Sequence, residues 1–173
     1  MPDIAEIANA LNISRDSSAW QRTVDITTIG ARSGRKRRIE IWFHRVRGHW
    51  YLSSIPARRD WYSNLLTNPD FTFHLKHGIS ADLRATGMPI TDPAQKRSVF
   101  EYIVDDFNQP HNPARVRQPQ HVEDWIAGSP LVEILFTDIP NGFTTKSGPV
   151  NENNRVSTAT EVHGSPEGQL GVI

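Results

Sequence analysis

The 173-residue chain contains no cysteine, and its 19 basic side chains are matched by 19 acidic ones, so it carries no formal net charge. The missing thiols exclude a disulfide framework, thiolate-ligated zinc and a cysteine nucleophile. No apolar run approaches the ~20 residues of a membrane span. The opening Met-Pro-Asp-Ile-Ala-Glu is acidic and lacks the apolar stretch of a secretory leader. A cytoplasmic location is therefore the expectation. The GxGxxG, GxxxxGK[ST] and GxSxG signatures are also missing, which leaves a Rossmann site, a P-loop and a hydrolase elbow without support. Taken whole, zero charge would argue against a polyanionic partner.

The charges are sorted along the chain, however. Residues 32–59 hold nine basic side chains (Arg32, Arg35, Lys36, Arg37, Arg38, Arg45, Arg47, Arg58, Arg59) and one acid, Glu40. That block is +8, and the remainder is −8. Such a segment makes a local positive field that the net charge hides. The alternative is an ordinary solvated strand face or edge.

The periodicities divide the chain. Ile4, Ile7, Ala8 and Leu11 predict a helix within 3–13, followed by a loop over 14–19. Residues 23–29 alternate and are β-branched, with Val24, Ile26 and Thr28 facing one way. The spacing predicts further strands over 37–46, 50–53, 71–75, 79–85 and 131–137, with turns at 47–49 and 76–78. In the second strand Ile39, Ile41 and Phe43 share a face. Asp60 is expected to cap a short helix over 61–66, and Asp92-Pro93 to open one carrying Val99, Tyr102, Ile103 and Phe107. Residues 108–119 hold three prolines and read as a loop, and 121–127 as a short helix. With no βαβ alternation, the reading is α+β, mainly β: a small, mostly antiparallel barrel of about six strands with peripheral helices. Residues 1–19 form an N-terminal helix and loop, 20–139 the barrel, and 140–173 a flexible tail.

Two segments carry chemistry. Thr27-Thr28-Ile29-Gly30-Ala31-Arg32-Ser33-Gly34-Arg35 puts turn amides, a hydroxyl and guanidinium groups between two strands, which suits an anion nest. A plain hairpin turn with surface arginines is the competing reading. Arg58-Arg59-Asp60-Trp61-Tyr62-Ser63-Asn64 sets two arginines at a helix start, with rings that could wall a planar ligand and an amide that could bond its edge. Core packing with Leu65 is the alternative for Trp61. The histidine pairs His44/His49 and His74/His77 flank turns without a carboxylate at ligand spacing, so no metal site is expected.

These two segments, in this order, resemble the deazaflavin-dependent nitroreductase family. The matching stretches are Thr27 to Phe43 and Asp60-Trp61-Tyr62-Ser63-Asn64-Leu65-Leu66-Thr67-Asn68-Pro69, within a resemblance covering roughly 20–107. It implies a flavin-reductase-like split β-barrel that binds coenzyme F-420, an 8-hydroxy-5-deazaflavin with a phosphate and an oligoglutamate tail. It further implies hydride transfer to quinone- or nitroaromatic-type acceptors. By the same resemblance Arg32, Ser33, Arg35 and Arg38 contact phosphate and tail, with Lys36 and Arg37 as weaker candidates. Ser53, Ser54 and Arg58 lie along the cofactor, and Trp61, Tyr62 and Asn64 belong to the helix abutting the ring. The chain has Ser53-Ser54-Ile55-Pro56-Ala57-Arg58-Arg59 where many members carry a glycine-rich, lysine-containing loop. FMN is the alternative cofactor, and a non-catalytic flavin or haem binder the alternative function. The partners implied are small molecules rather than nucleic acid or a membrane span; many split barrels also pair as homodimers. A cofactor that brings the reactivity accounts for the lack of a nucleophile or metal constellation.

Overall fold

The alternation over residues 23–29 becomes strand β1 (Thr23–Ile29), in which Val24, Ile26 and Thr28 are buried. In the computed structural model, which describes residues 1–140, five more strands follow: β2 (Lys36–Val46), β3 (His49–Ser53), β4 (Asp70–Leu75), β5 (Ala81–Pro89) and β6 (Leu131–Phe136). They pair antiparallel in the order β1-β2-β3-β6-β5-β4 and close into a barrel. Helices α1 (Ile4–Leu11), α2 (Ala19–Arg22), α3 (Asp60–Thr67), α4 (Pro93–Asn108) and α5 (Val122–Gly128) surround it. The expected six-stranded barrel with peripheral helices is met. The flexible tail expected over 140–173 lies outside the described residues, except for Pro140.

Local chemistry sets the element ends. Asp3 and Glu6 close a reciprocal capping box on α1. Asp92 accepts from the Gln95 amide ahead of Pro93, so α4 begins as its sequence predicts. The β2–β3 turn places Arg47 and Gly48 at φ 50° and 81°, the pairing that two-residue hairpins favour.

Two apolar cores result. Inside the barrel, Phe43 and Phe73 meet edge to face at 5.2 Å amid Val24, Ile26, Leu52 and Val132. Between the barrel wall and α4–α5, Phe100, Ile103, Phe107 and Trp125 pack on Val46, Tyr51 and Leu131. Each such side chain contributes about 1.5–3 kcal/mol when fully buried. A buried ion pair ties the N-terminal segment to α4: Arg22 donates to Asp106 at 2.5 and 3.2 Å and to the carbonyls of Ser14, Arg15 and Ser17.

Three readings need correction. Residues 14–19 are not loop throughout, because Ser18 and Gln21 cap the single turn α2. Asp60 is the first residue of α3 rather than its cap; Arg59 takes the cap position without a side-chain bond. Strand β5 starts at Ala81 and runs on through Gly87 to Pro89, against the expected 79–85. A Cβ at Gly87 would lie 3.0 Å from Val132 Cγ1 and 3.3 Å from Leu65 Cδ1, so glycine there permits close packing.

The feature that makes a site is the long strand β2. It pairs with β3 only from Phe43 to Val46, whereas Lys36–Trp42 pairs with β1 alone. The first five residues of β2 are exposed on both faces. Ile39, expected on the buried face, is 37% exposed. An apolar side chain left open on a projecting strand is what a ligand-covered surface requires.

Candidate functional site

Two cavities meet at this projecting strand. The first, a chamber of about 610 Å³, lies between β2, the end of β3, and the α4–α5 side. Its walls are Ile39, Ile41, Trp42, Trp61, Phe107 and Trp125, with Ser53, Ser54 and His44 among them. The second, a cradle of about 650 Å³, is lined by the Gly30–Ser33 turn, Arg37, Arg58 and the start of α3. Ile39 and Trp61 line both, so the two spaces adjoin.

The cradle is built by one side chain. Asn64, buried on α3, accepts from the Ala31 amide at 2.9 Å and donates to Thr28 Oγ1 at 3.0 Å. It thereby bridges the last turn of β1 and the loop after it. Within that loop the Gly34 amide reaches the Gly30 carbonyl (2.9 Å) and the Gly30 amide the Arg35 carbonyl (2.8 Å). Ser33 Oγ accepts from the Arg35 amide, which leaves its O–H proton to donate. The amides of Arg32 and Ser33 have no hydrogen bond among the described residues. Two free amides in a tight turn form an anion nest. Nor do Arg32, Arg35, Lys36, Arg37, Arg58 and Arg59 make an ion pair among the described residues.

The residues singled out in sequence thus fall into groups. Arg32, Ser33, Arg58, Trp61 and Asn64 line the cradle. Ser53, Ser54 and Trp61 line the chamber. Arg35 is exposed and lines neither cavity, and Tyr62 packs against the barrel core. Arg38 points to the opposite sheet face, where its Nε meets Asp25 at 3.0 Å. Its neighbour Arg37, weaker on sequence, takes the place in the cradle because strand neighbours face opposite ways. Missed altogether were His44, Phe107, Trp125 and the 116–120 segment. The helical stripe through Phe107 was legible, but nothing local brings it to β2.

The chamber is walled mainly by apolar side chains, with Glu40, Arg59 and Arg117 also lining it. Burial holds His44 well below the ordinary histidine range, at about 3; the Arg22 charge adds to this and the Ser53 carbonyl opposes it. An imidazole of that kind offers a hydrogen bond but no proton at neutral pH. Ser53 Oγ is spent on the Pro130 carbonyl at 2.6 Å. Ser54 Oγ is buried without a partner, an arrangement that disfavours the empty site and suits a ligand group.

A third cluster resembles a nucleophile relay. His74, buried on β4, bonds Thr27 Oγ1 at 2.7 Å and Asp82 at 2.6 Å. His49 likewise meets Glu133 at 2.8 Å. Both carboxylates arrive across the sheet, from positions that sequence spacing does not bring beside these histidines. Thr27 and His74 sit on strands flanked on both sides, whose amides belong to the ladder. With no free amide pair beside it to stabilise an oxyanion, the relay lacks the means for acyl transfer.

The comparisons with known proteins speak to the fold. No protein-family model matches the sequence, and no curated protein matches it significantly. Solved structures do. A conserved hypothetical protein of Mycobacterium tuberculosis is 21% identical, with 79% of this chain and 82% of that one covered and a TM-score of 0.55. A candidate pyridoxamine 5′-phosphate oxidase from Listeria innocua is 12% identical over 78% and 93%, with a TM-score of 0.52. The fold is a split β-barrel. A candidate 5-nitroimidazole antibiotic resistance protein from Bacteroides thetaiotaomicron is similar as well, 15% identical over 79% and 81%, at a TM-score of 0.52. This split barrel is the fold that the resemblance to deazaflavin-dependent nitroreductases implies. Among the described residues no helix is long and apolar enough to cross a membrane.

Proposed function

We propose that this split barrel is a cytoplasmic oxidoreductase of the deazaflavin-dependent nitroreductase type, using coenzyme F-420. The observation that carries this reading is the junction, at Ile39 and Trp61, of a cradle with Arg32, Arg37 and Arg58 against the single acid Asp60 and an aromatic-walled chamber. A ligand with a flat apolar head and an anionic tail matches both halves.

The residues present fit such a group. Trp61 and Ile39 would pass the ring system from cradle to chamber, and Ser54 Oγ would gain the partner it lacks. The Arg32 and Ser33 amides with Arg37 and Arg58 would hold the phosphate, and the remaining free arginines the tail carboxylates. Bound and reduced, the deazaflavin would supply the hydride for reduction of a quinone-type acceptor. The chain contributes orientation and exclusion of water from a chamber of small-molecule size. His44, held neutral by burial, adds no charge of its own to that chamber.

Titration of the purified protein with coenzyme F-420 and with FMN, followed by fluorescence, tests the reading. Low-micromolar deazaflavin binding is expected, and no binding at that concentration refutes it. Preferential FMN binding with a yellow colour on purification would make the protein an FMN-dependent oxidoreductase. Binding of flavin or haem without turnover of any acceptor would make it a carrier.

A further inference from the structure

Building on that reading, we propose that a second groove, on the far side of the chamber from the cradle, is the subsite for the electron acceptor, and that it takes planar acceptors with neutral or cationic substituents. The groove measures about 460 Å³ and runs between Ile55-Pro56 and residues 118–121 over α5. It shares Ile55, Gln118, Gln120 and Trp125 with the chamber, so cradle, chamber and groove adjoin in that order.

Both walls are built rather than loose. On one side Asn108 clasps Gln120 through two 2.8 Å bonds to its carbonyl and amide. The Gln120 side chain accepts from Trp125 Nε1 at 3.0 Å and donates to the Gln118 carbonyl at 3.0 Å. On the other side Pro56 rests on Gly128, where a Cβ would come within 2.9 Å of Pro56 Cβ. The Ala57 amide bonds the Gly128 carbonyl at 3.2 Å. These contacts hold the mouth of the chamber at a fixed width.

The two ends of the space differ in charge. The cradle sets Arg32, Arg37 and Arg58 against Asp60 and the chamber Arg59 and Arg117 against Glu40, whereas no lysine or arginine lines the groove. Its ionisable groups are His121 and Asp124, and Asp124 makes no ion pair among the described residues. An anionic ligand sorts to the cradle by field alone, and a neutral or cationic one to the groove.

The test uses three 1,4-naphthoquinones bearing a neutral, a trimethylammonium or a sulfonate substituent. Their Kd values are read by tryptophan quenching, with and without deazaflavin, on the full chain. The cationic and neutral probes are expected to bind more tightly than the sulfonate. Asp124→Lys should reverse that order, by roughly three- to tenfold in the cation-to-anion ratio. Ala127→Trp, which places a ring in the groove from an exposed position, should weaken all three probes by more than about tenfold. Its deazaflavin Kd should stay within about twofold of wild type, since Ala127 lines neither cradle nor chamber. Quinone affinities unmoved by both variants, or no quinone binding at all, overturn the groove. If Ala127→Trp does not fold, Asp124→Lys decides alone. Wild-type protein that fails to bind deazaflavin overturns the functional reading instead, and the quinone series on the free chain still judges the groove.

Discussion

Replacing Asn64 by leucine removes two hydrogen bonds at similar side-chain volume, and the outcome separates a positioning residue from a ligand contact. Asn64 is only 8% exposed, and both ends of its amide are used by the protein, one by the Ala31 amide and one by Thr28 Oγ1. Thr28 is buried, so its oxygen would lose a partner with no water to replace it, at about 1–3 kcal/mol. Ala31 is exposed, and its amide can be rehydrated, so that loss is nearer 1 kcal/mol. The sum is roughly 2–4 kcal/mol, which for a domain of this size lowers Tm by roughly 5–15 °C. Asn64→Asp supplies the control. Its carboxylate still accepts from Ala31, and the Thr28 hydroxyl can turn to donate to it, so the loop stays in place. The added charge nevertheless faces the anion nest. Asn64→Leu should therefore lower Tm and raise hydrogen exchange at Ala31, whereas Asn64→Asp should keep Tm within a few degrees yet weaken pyrophosphate or deazaflavin binding. An Asn64→Leu protein with wild-type Tm and an equally protected Ala31 amide would refute the strut and return Asn64 to the role of direct ligand contact.

Three further outcomes are expected. His44 is held at about 3 in the folded chain but titrates near 6.5 when unfolded, so the unfolded state binds more protons between those values and stability falls as pH drops through them. Between pH 6.5 and 5 that is about 2 kcal/mol; urea melts of His44→Phe should lose this slope, and a slope unchanged in the variant would refute the assignment. Arg37→Ala should weaken deazaflavin binding and flatten its salt dependence, whereas Arg38→Ala should mainly release Asp25, so equal effects of the two would show that the face assignment fails. Gly128→Ala forces Pro56 away by a contact that neither ring nor backbone can yield cheaply; a crystal structure with Pro56 unmoved, or unchanged quinone affinity, would show that this clamp does not set the chamber mouth.

The barrel was legible because alternation is a local signal. Val24, Ile26 and Thr28 declare a face, Arg47-Gly48 declares a turn, and Asp92-Pro93 declares a helix start. What alternation cannot say is which face is covered when a strand leaves the sheet. Arg37 and Arg38 are equivalent by parity until the position of α3 is known, and Ile39 reads as core although it belongs to the ligand surface. The chamber roof was hidden for a different reason. Phe107, Gln118 and Trp125 come from segments more than 60 residues after β2, and only the packing of α4 and α5 on the barrel brings them there. Asp82 reaches His74, and Glu133 reaches His49, by the same kind of long-range register. Proline-rich residues 108–119 read as a loop and lack regular structure after Asn108, the last residue of α4, yet the Asn108–Gln120 clasp turns the end of that loop into a wall.

The balance of charge shows why a neutral protein can still select an anion. Several of the acids that cancel the basic block are engaged elsewhere: Asp105 by Arg15, Asp106 by Arg22, Asp138 by Arg84, and Glu123 by Arg97. Asp25 and Glu40, the acids nearest the cradle in the sheet, are held by Lys76 on the opposite face, with Arg38 also on Asp25. Within the cradle Arg32, Arg37 and Arg58 make no ion pair among the described residues and outnumber its one lining acid, Asp60. At physiological ionic strength a charge is felt over about 8 Å, so a ligand at the Gly30–Ser33 turn meets unpaired guanidinium groups and free amides, not the compensated remainder. A long nucleic acid would extend beyond that patch into acidic surface and would need stacking platforms. Trp61 is buried, Trp50 is packed on Phe136, and Trp42 is packed on Phe107. A short polyanion attached to one flat ring meets neither obstacle, because its charges end where the cradle ends and its ring continues into the chamber.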